Sequence, residues 1–195
     1  MSHRWLRFSI GVLLLLAAAG AVAQQKPLRA PDVPFEPSPQ HVVDQMLKLA
    51  EVRKSDVVYD LGCGDGRIVI TAAKEYGARG VGIDIDPQRV AESLANARAA
   101  GVADRVTFRN EDLFEADISG ATVVMLFLWP EVNLKLRPKL LRDLKPGTRV
   151  VSYYWNMGDW VAEKELEIDG HPVYLWIVPA KRPPARPHRA PAPDD

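Results

Sequence analysis

A doubly wound α/β domain is the fold this sequence predicts: a mostly parallel seven-stranded, Rossmann-like sheet with helices on both faces and a C-terminal antiparallel hairpin. Three observations carry it. Apolar runs of strand length alternate five times with segments of helical periodicity. The first complete run ends in "DLGCGDG", with glycine at every second position. Two strand-like segments then close the chain, joined at Asp169-Gly170. Alternation implies a parallel sheet covered on both sides, and the closing pair adds a hairpin at its edge.

The elements follow in order. "PQHVVDQMLKLAEV" places Val42, Val43, Met46, Leu47 and Ala50 at helical spacing. "DVVYDLG" is the continuous apolar run of a strand buried on both faces. "GRIVITAAKEYG" is helical and stops at Gly77, a natural C-terminal cap. "RGVGIDI" is the second strand, and Asp86-Pro87 starts the next helix, "PQRVAESLANARAAG". "RVTFRN" and "ATVVMLFL" are the third and fourth strands. "EVNLKLRPKLLRDLK" is a helix that Pro138 is expected to kink or break. "TRVVSYYW" is the fifth strand, and "EKELEID" and "HPVYLWIVP" form the hairpin.

Composition bounds the function. The 195 residues suffice for one domain with a substantial core, and the 25 basic and 25 acidic side chains cancel. Neither the total nor any dense Lys/Arg stripe points to nucleic acid. Cys63 is the only cysteine, which excludes an intrachain disulfide and a cysteine-built metal site. No spacing of His, Asp and Glu suggests a metal, and none is expected.

The first 23 residues differ in kind. Arg4 and Arg7 precede an apolar stretch over 8–19, and "AVA" stands before Gln24. That is the layout of a secretory signal peptide, with an uncleaved membrane anchor as the competing reading. Either one places the remainder on the far side of a membrane, exported to the periplasm or anchored there. Residues 24–39 are rich in proline and read as an extended tether. Residues 40–180 are the folded domain, and 181–195 a disordered proline-rich tail.

In a sheet of this kind ligands bind beyond the C-terminal ends of the strands. Gly62, Gly64 and Gly66 permit a tight turn and let a ligand approach bare backbone. A dinucleotide site shows G-x-G-x-x-G around a pyrophosphate. Here the pattern is G-x-G-x-G preceded by Asp60, which repels phosphate and suits an ammonium group. Asp84, at the tip of "GIDID", can accept from ribose hydroxyls. Asp112, in "RNEDLF", can accept from an adenine amino group or cap a short helix. An ammonium partner, a ribose partner and an adenine partner together describe S-adenosylmethionine.

"VVYDLGCGDGRI", "GIDID" and "NEDLF" resemble the successive cofactor motifs of the class I S-adenosylmethionine-dependent methyltransferases. The resemblance implies that Asp60, Gly62, Cys63 and Gly64 line the methionine end, that Asp84 and Ile85 serve the ribose, and that Asp112 and Leu113 meet the adenine. "PFEPSPQHVVDQMLKLAEV", "GDGRIVITAAKEYGARGVGIDIDP" and "LFLWPEVNLKL" are similar to a narrower family of membrane-anchored protein-lysine methyltransferases, typified by the enzyme that modifies a lysine of the ATP synthase rotor ring. That similarity implies a protein lysine as methyl acceptor and membrane association through the N-terminus.

The acceptor pocket is expected at the tips of the fourth and fifth strands. Trp129, Pro130 and Tyr153 are its candidate residues, with Glu131, Asn133, Tyr154, Trp155 and Asn156 nearby. The Asn/Asp-Pro-Pro-Tyr pattern of base and glutamine methylation is absent, and "LWPE" stands in its place. Two other classes remain. An exported binding module that lost the reaction is one, since the donor is made in the cytosol. An NAD-dependent oxidoreductase is the other, disfavoured by Asp60 and the glycine spacing.

Overall fold

The computed structural model describes residues 28–180. The signal or anchor expected over 1–23 and the tail over 181–195 lie outside the described residues. In chain order the elements are α1 (Gln40–Leu49), β1 (Val57–Leu61), α2 (Arg67–Tyr76), β2 (Arg79–Asp84), α3 (Pro87–Ala99), β3 (Val106–Asn110), β4 (Val123–Leu126), α4 (Pro130–Asp143), β5 (Arg149–Tyr153), β6 (Lys164–Ile168) and β7 (His171–Ile177). The strands form one seven-stranded sheet in the order β3-β2-β1-β4-β5-β7-β6. The first five run parallel; β7 is antiparallel to both β5 and β6.

Side chains alternate across a strand, so each strand feeds two cores. On one face Val58, Val123, Met125 and Val151 pack with α1, α2 and α3. On the other, Tyr59, Leu61, Val124, Leu126 and Val150 pack with Val132, Leu136 and Leu140 of α4. Local chemistry sets the boundaries. Gly77 caps α2 at φ 66, and the Asp86 carboxylate caps α3 by accepting from Gln88 N at 2.8 Å. Asp169 and Gly170 turn the closing hairpin at φ 53 and 77, the all-positive pair that a two-residue turn favours.

Pro138 does not break its helix. α4 is continuous from Pro130 to Asp143 with the proline inside. A mid-helix proline costs about 3 kcal/mol. Leu136 and Leu140 on either side are wholly buried, each contributing about 1.5–3 kcal/mol that a break would forfeit. Pro138 itself faces solvent, where water can reach the carbonyl it leaves unpaired.

At the end of the sheet opposite the strand tips, Asp56 joins four segments. Its carboxylate accepts from Thr122 Oγ1 and Arg53 N, both at 2.7 Å, and pairs with Arg149. Arg149 in turn donates to Ala50 O at 2.7 Å, tying the end of α1 to β5. Burial opposes ionisation of Asp56, but these donors outweigh it and hold the carboxyl below its ordinary pKa. Asp56→Ala leaves Arg149 without its carboxylate partner and is expected to cost about 2–4 kcal/mol in urea unfolding. The strand tips should be untouched, with ligand affinity there unchanged; a loss below about 0.5 kcal/mol would remove the cluster from the framework.

Candidate active site

The chain winds one way from β1 to β3 and the other from β1 to β5, and the crevice opens where the two directions part. A cavity of about 730 Å³ lies there, lined from the tips of β1, β2, β3, β4 and β5. That is the size of a small-molecule site.

The glycine turn forms its floor. Gly62 N and Cys63 N both donate to Ile83 O, at 2.8 and 3.0 Å. The two Asp84 oxygens accept from Gly64 N and Asp86 N, each at 2.9 Å, and Ser93 Oγ donates to Gly64 O at 2.8 Å. The backbone is left-handed at Gly64 (φ +54) and at Gly66 (φ +81). A β-carbon at Gly64 would lie 2.3 Å from Phe35 Cε2, so an aromatic ring occupies part of the space the sequence reserved for a ligand.

Asp60, at the end of β1, is 3% exposed and lines this floor. Its carboxylate makes no hydrogen bond or ion pair among the described residues. Burial, then the charges of Asp84 and Asp65, push its pKa up to about 8. Burial also raises Asp84, against the two amides that favour its charged form. Cys63 is 5% exposed, and burial pushes its thiol well above the ordinary value, so it serves as packing.

Asp112, Leu113 and Ile85 line the far end. The Asp112 carboxylate is held at both oxygens: Arg29 Nε and Nη2 donate at 2.5 and 3.0 Å, and Phe114 N at 3.0 Å. The Arg29 hydrogen bonds hold Asp112 below its usual pKa. Arg29 belongs to the segment expected as a tether. That segment instead runs along the cavity over residues 29–38. Arg67 Nη1 donates to Ser38 O at 2.7 Å, and the Arg89 guanidinium lies 4.7 Å from the centre of the Phe35 ring. Proline without periodicity hid this role. The one signal was a lone phenylalanine among the prolines.

At the other end, Phe127, Trp129, Tyr154 and Trp155 line the cavity. Of the three acceptor candidates, Trp129 lies on the wall and is 49% exposed. Pro130 opens α4 beside it, off the wall. Tyr153 is buried behind, with its ring 4.8 Å from Phe127 and 6.0 Å from Tyr154. Tyr154 is left-handed at φ 73, a conformation that costs about 1–3 kcal/mol outside glycine. Its amide donates to Pro172 O at 2.7 Å, and Asn133 Nδ2 holds Trp155 O at 3.1 Å. The hairpin and α4 thus fix the two rings that the backbone alone would not. Among the described residues no group of three or more His, Cys, Asp or Glu is placed to hold a metal ion.

The raised Asp60 pKa has a consequence for stability. The unfolded chain releases this proton near ~3.9, the folded chain near about 8. Between those values the unfolded state binds fewer protons, so Asp60 weakens folding progressively as pH rises through the window. Asp60→Asn should therefore melt above the wild-type chain at pH 8, without ligand, and the two should converge toward pH 4. An offset of the same size at both pH values would show that the carboxyl does not titrate there.

Comparison with known proteins gives the family. The family model of the ANTKMT methyltransferase domain matches residues 60–164. A protein-lysine N-methyltransferase of Saccharolobus islandicus (strain REY15A) is 46% identical over 153 residues, covering 76% of this chain and 95% of that protein. The adenine nucleotide translocase lysine N-methyltransferase of Mus musculus is 35% identical over 135 residues, which span 69% of this chain and 58% of the mouse one. An RNA methyltransferase from Salinibacter ruber, solved in complex with S-adenosyl-L-homocysteine, superposes with a TM-score of 0.74 at 56% identity, covering 76% of this chain and 97% of that one. A chain with this sheet, this glycine turn and these relatives belongs to the ANTKMT methyltransferase domain family and is an S-adenosylmethionine-dependent methyltransferase.

Proposed function

We propose that the methyl acceptor is a lysine side chain of a protein. The observation that carries this reading is the mouth of the cavity, with aromatic rings on its walls and carboxylates around it. Arg29, Arg67 and Arg89 line the cavity, and each is paired with a carboxylate. A nucleic acid would bring phosphates to this mouth and find no unpaired cation among the described residues lining it. An ammonium group on an apolar stem meets neither obstacle, and rings beside it favour the cation. The names of the Saccharolobus islandicus and mouse relatives support the same acceptor.

The residues fit the methyl donor. Asp60 is a buried carboxylate with no partner among the described residues, suited to the ammonium of the methionine end. Asp84 is oriented by two amides and suits the ribose hydroxyls. Ile85 and Leu113 offer apolar surface for the base. S-adenosylmethionine supplies a methyl group on a sulfonium, and transfer joins that carbon to the lysine nitrogen while sulfur keeps the electrons of the broken bond.

The chain's own task is to deliver a neutral amine in line. An unperturbed lysine has a pKa of ~10.4, so neutrality at pH 7 costs roughly 4–5 kcal/mol. The walls of Phe127, Trp129, Tyr154 and Trp155 lower that cost by desolvating the ammonium, and positioning supplies much of the remainder. The proton leaves through the open mouth to water, and the methylated product regains a positive charge.

Residues 1–23 are part of this proposal, as the segment that carries the domain to a membrane or across it. The support is the layout of their sequence. N-terminal sequencing of the cellular protein should find either Gln24, for a cleaved signal, or an intact leader recovered with membranes. An intact leader on a freely soluble protein would refute both.

The acceptor is tested by incubating the full chain with labelled S-adenosylmethionine and either membrane proteins or total RNA. Label recovered as methyl-lysine after protein hydrolysis is the expected result. Label in RNA alone, or in small molecules alone, would overturn the lysine reading.

A further inference from the structure

Carboxylates dominate the charged lining of the cavity, and almost all of them have partners. Asp32 and Asp112 bind Arg29, Asp65 binds Arg67, and Glu111 approaches Arg109 at 3.7 Å. Asp84 and Asp86 accept backbone amides. Two lining carboxylates make no hydrogen bond or ion pair among the described residues, Asp60 and Glu36. Asp60 lies on the floor, at the methionine end.

Glu36 lies elsewhere. It follows Phe35, whose ring rests on the glycine turn, and its charge reaches the phenol of Tyr153 at the tip of β5. Burial raises that phenol, and the charges of Asp169, Tyr154 and Glu36 add to the effect. Glu36 lines the same cavity as the glycine turn and the aromatic wall of Phe127, Tyr154 and Trp155. It is also exposed, so it meets a solute arriving from solvent.

A methyl transfer to lysine brings two ammonium groups to this cavity, one on the donor and one on the acceptor. The lining leaves two carboxylates to receive them, one buried and one at the mouth. We infer that Glu36 binds the ε-ammonium of the acceptor lysine at the mouth of the cavity, with Tyr154 and Trp155 beside the aliphatic stem. This rests on the lysine reading above and deepens it. It assigns a substrate contact to the proline-rich segment, outside the sheet and its loops. An exposed carboxylate suits recruitment better than proton abstraction: it holds the ammonium until desolvation inside the aromatic walls releases the proton.

The test compares the full chain with Glu36→Gln and Glu36→Lys, using the capped tripeptide acetyl-Ala-Lys-Ala-amide and its norleucine counterpart as a blank. Calorimetry reads peptide binding to the chain saturated with S-adenosylhomocysteine, and separate titrations read the affinity for S-adenosylhomocysteine itself. Steady-state methylation gives KM and kcat. Glu36→Gln should weaken peptide binding and raise KM by about tenfold, with kcat changed by less than about threefold and S-adenosylhomocysteine affinity unchanged. Glu36→Lys should weaken peptide binding further. Wild-type values of peptide affinity and KM in Glu36→Gln would overturn the inference alone. An equal loss of S-adenosylhomocysteine affinity would also overturn it, moving Glu36 to the donor's site. A wild-type chain that neither binds nor methylates the lysine peptide would overturn the lysine reading, and the inference with it.

Discussion

The arrangement of the cavity depends on one carboxylate, that of Asp84. Its two oxygens hold Gly64 N and Asp86 N at the same distance, 2.9 Å. One bond fixes the glycine turn after β1, the other the start of α3 after β2. Ser93 and Asn96 of α3 then donate to the carbonyls of Gly64 and Asp65, closing the circuit from the helix side. A turn with left-handed glycines has many alternatives in the unfolded chain, and this set of bonds selects one. Asp60 lies at the end of the strand feeding that turn, and Phe35 rests on its outer surface, so both take their positions from the same anchor.

Charge explains why the cavity is built at a cost to the fold. A carboxylate buried without a partner is an unfavourable group, and Asp60 shows this in a pKa of about 8. Asp84 and Asp65 stand close enough to make it worse. Asp84 has two amides and Asp65 has Arg67. Asp60 has neither, and nothing in the packing of β1 requires an acid there, since its neighbours in the strand are apolar. A group that folding alone disfavours, at the floor of a cavity, is explained by what binds to it. The partnered acids set a negative background, and in the function proposed above Asp60 and Glu36 receive the positive charge.

The sheet was legible because its signals are local and repeated. Strand-length apolar runs, Gly77 after α2 and Asp86-Pro87 before α3 each state one boundary, and they agree with one another. The strand tips were legible for the same reason: an acid or glycine directly after an apolar run falls in the crevice by topology alone. What escaped depends on contacts between distant residues. Pro138 announces a kink or a break, and the burial of Leu136 and Leu140 against the sheet keeps the helix continuous. Tyr153 and Tyr154 are adjacent and alike in sequence. The left-handed turn at Tyr154 sends one ring to the cavity and leaves the other behind it, and a hydrogen bond to Pro172 in the hairpin helps set that turn. Arg29 carries no mark in the sequence that it will meet Asp112.

The proline-rich segment was hardest to read, yet its composition follows from its path. From β3 to β5 the row of strand tips covers four interstrand spacings, about 19 Å at ~4.8 Å each. Arg29 engages the β3 end through Asp112, and Phe35 rests on the glycine turn that follows β1. Chain that crosses strand tips cannot join the ladder, and each of its amides would need another acceptor. Pro31, Pro34, Pro37 and Pro39 remove those donors and hold φ near the extended value. Arg29 on Asp112 and Arg67 on Ser38 O fasten its ends, and Phe35 on Gly64 fastens the middle. A composition that reads as an extended tether in isolation also suits a wall laid along the cavity.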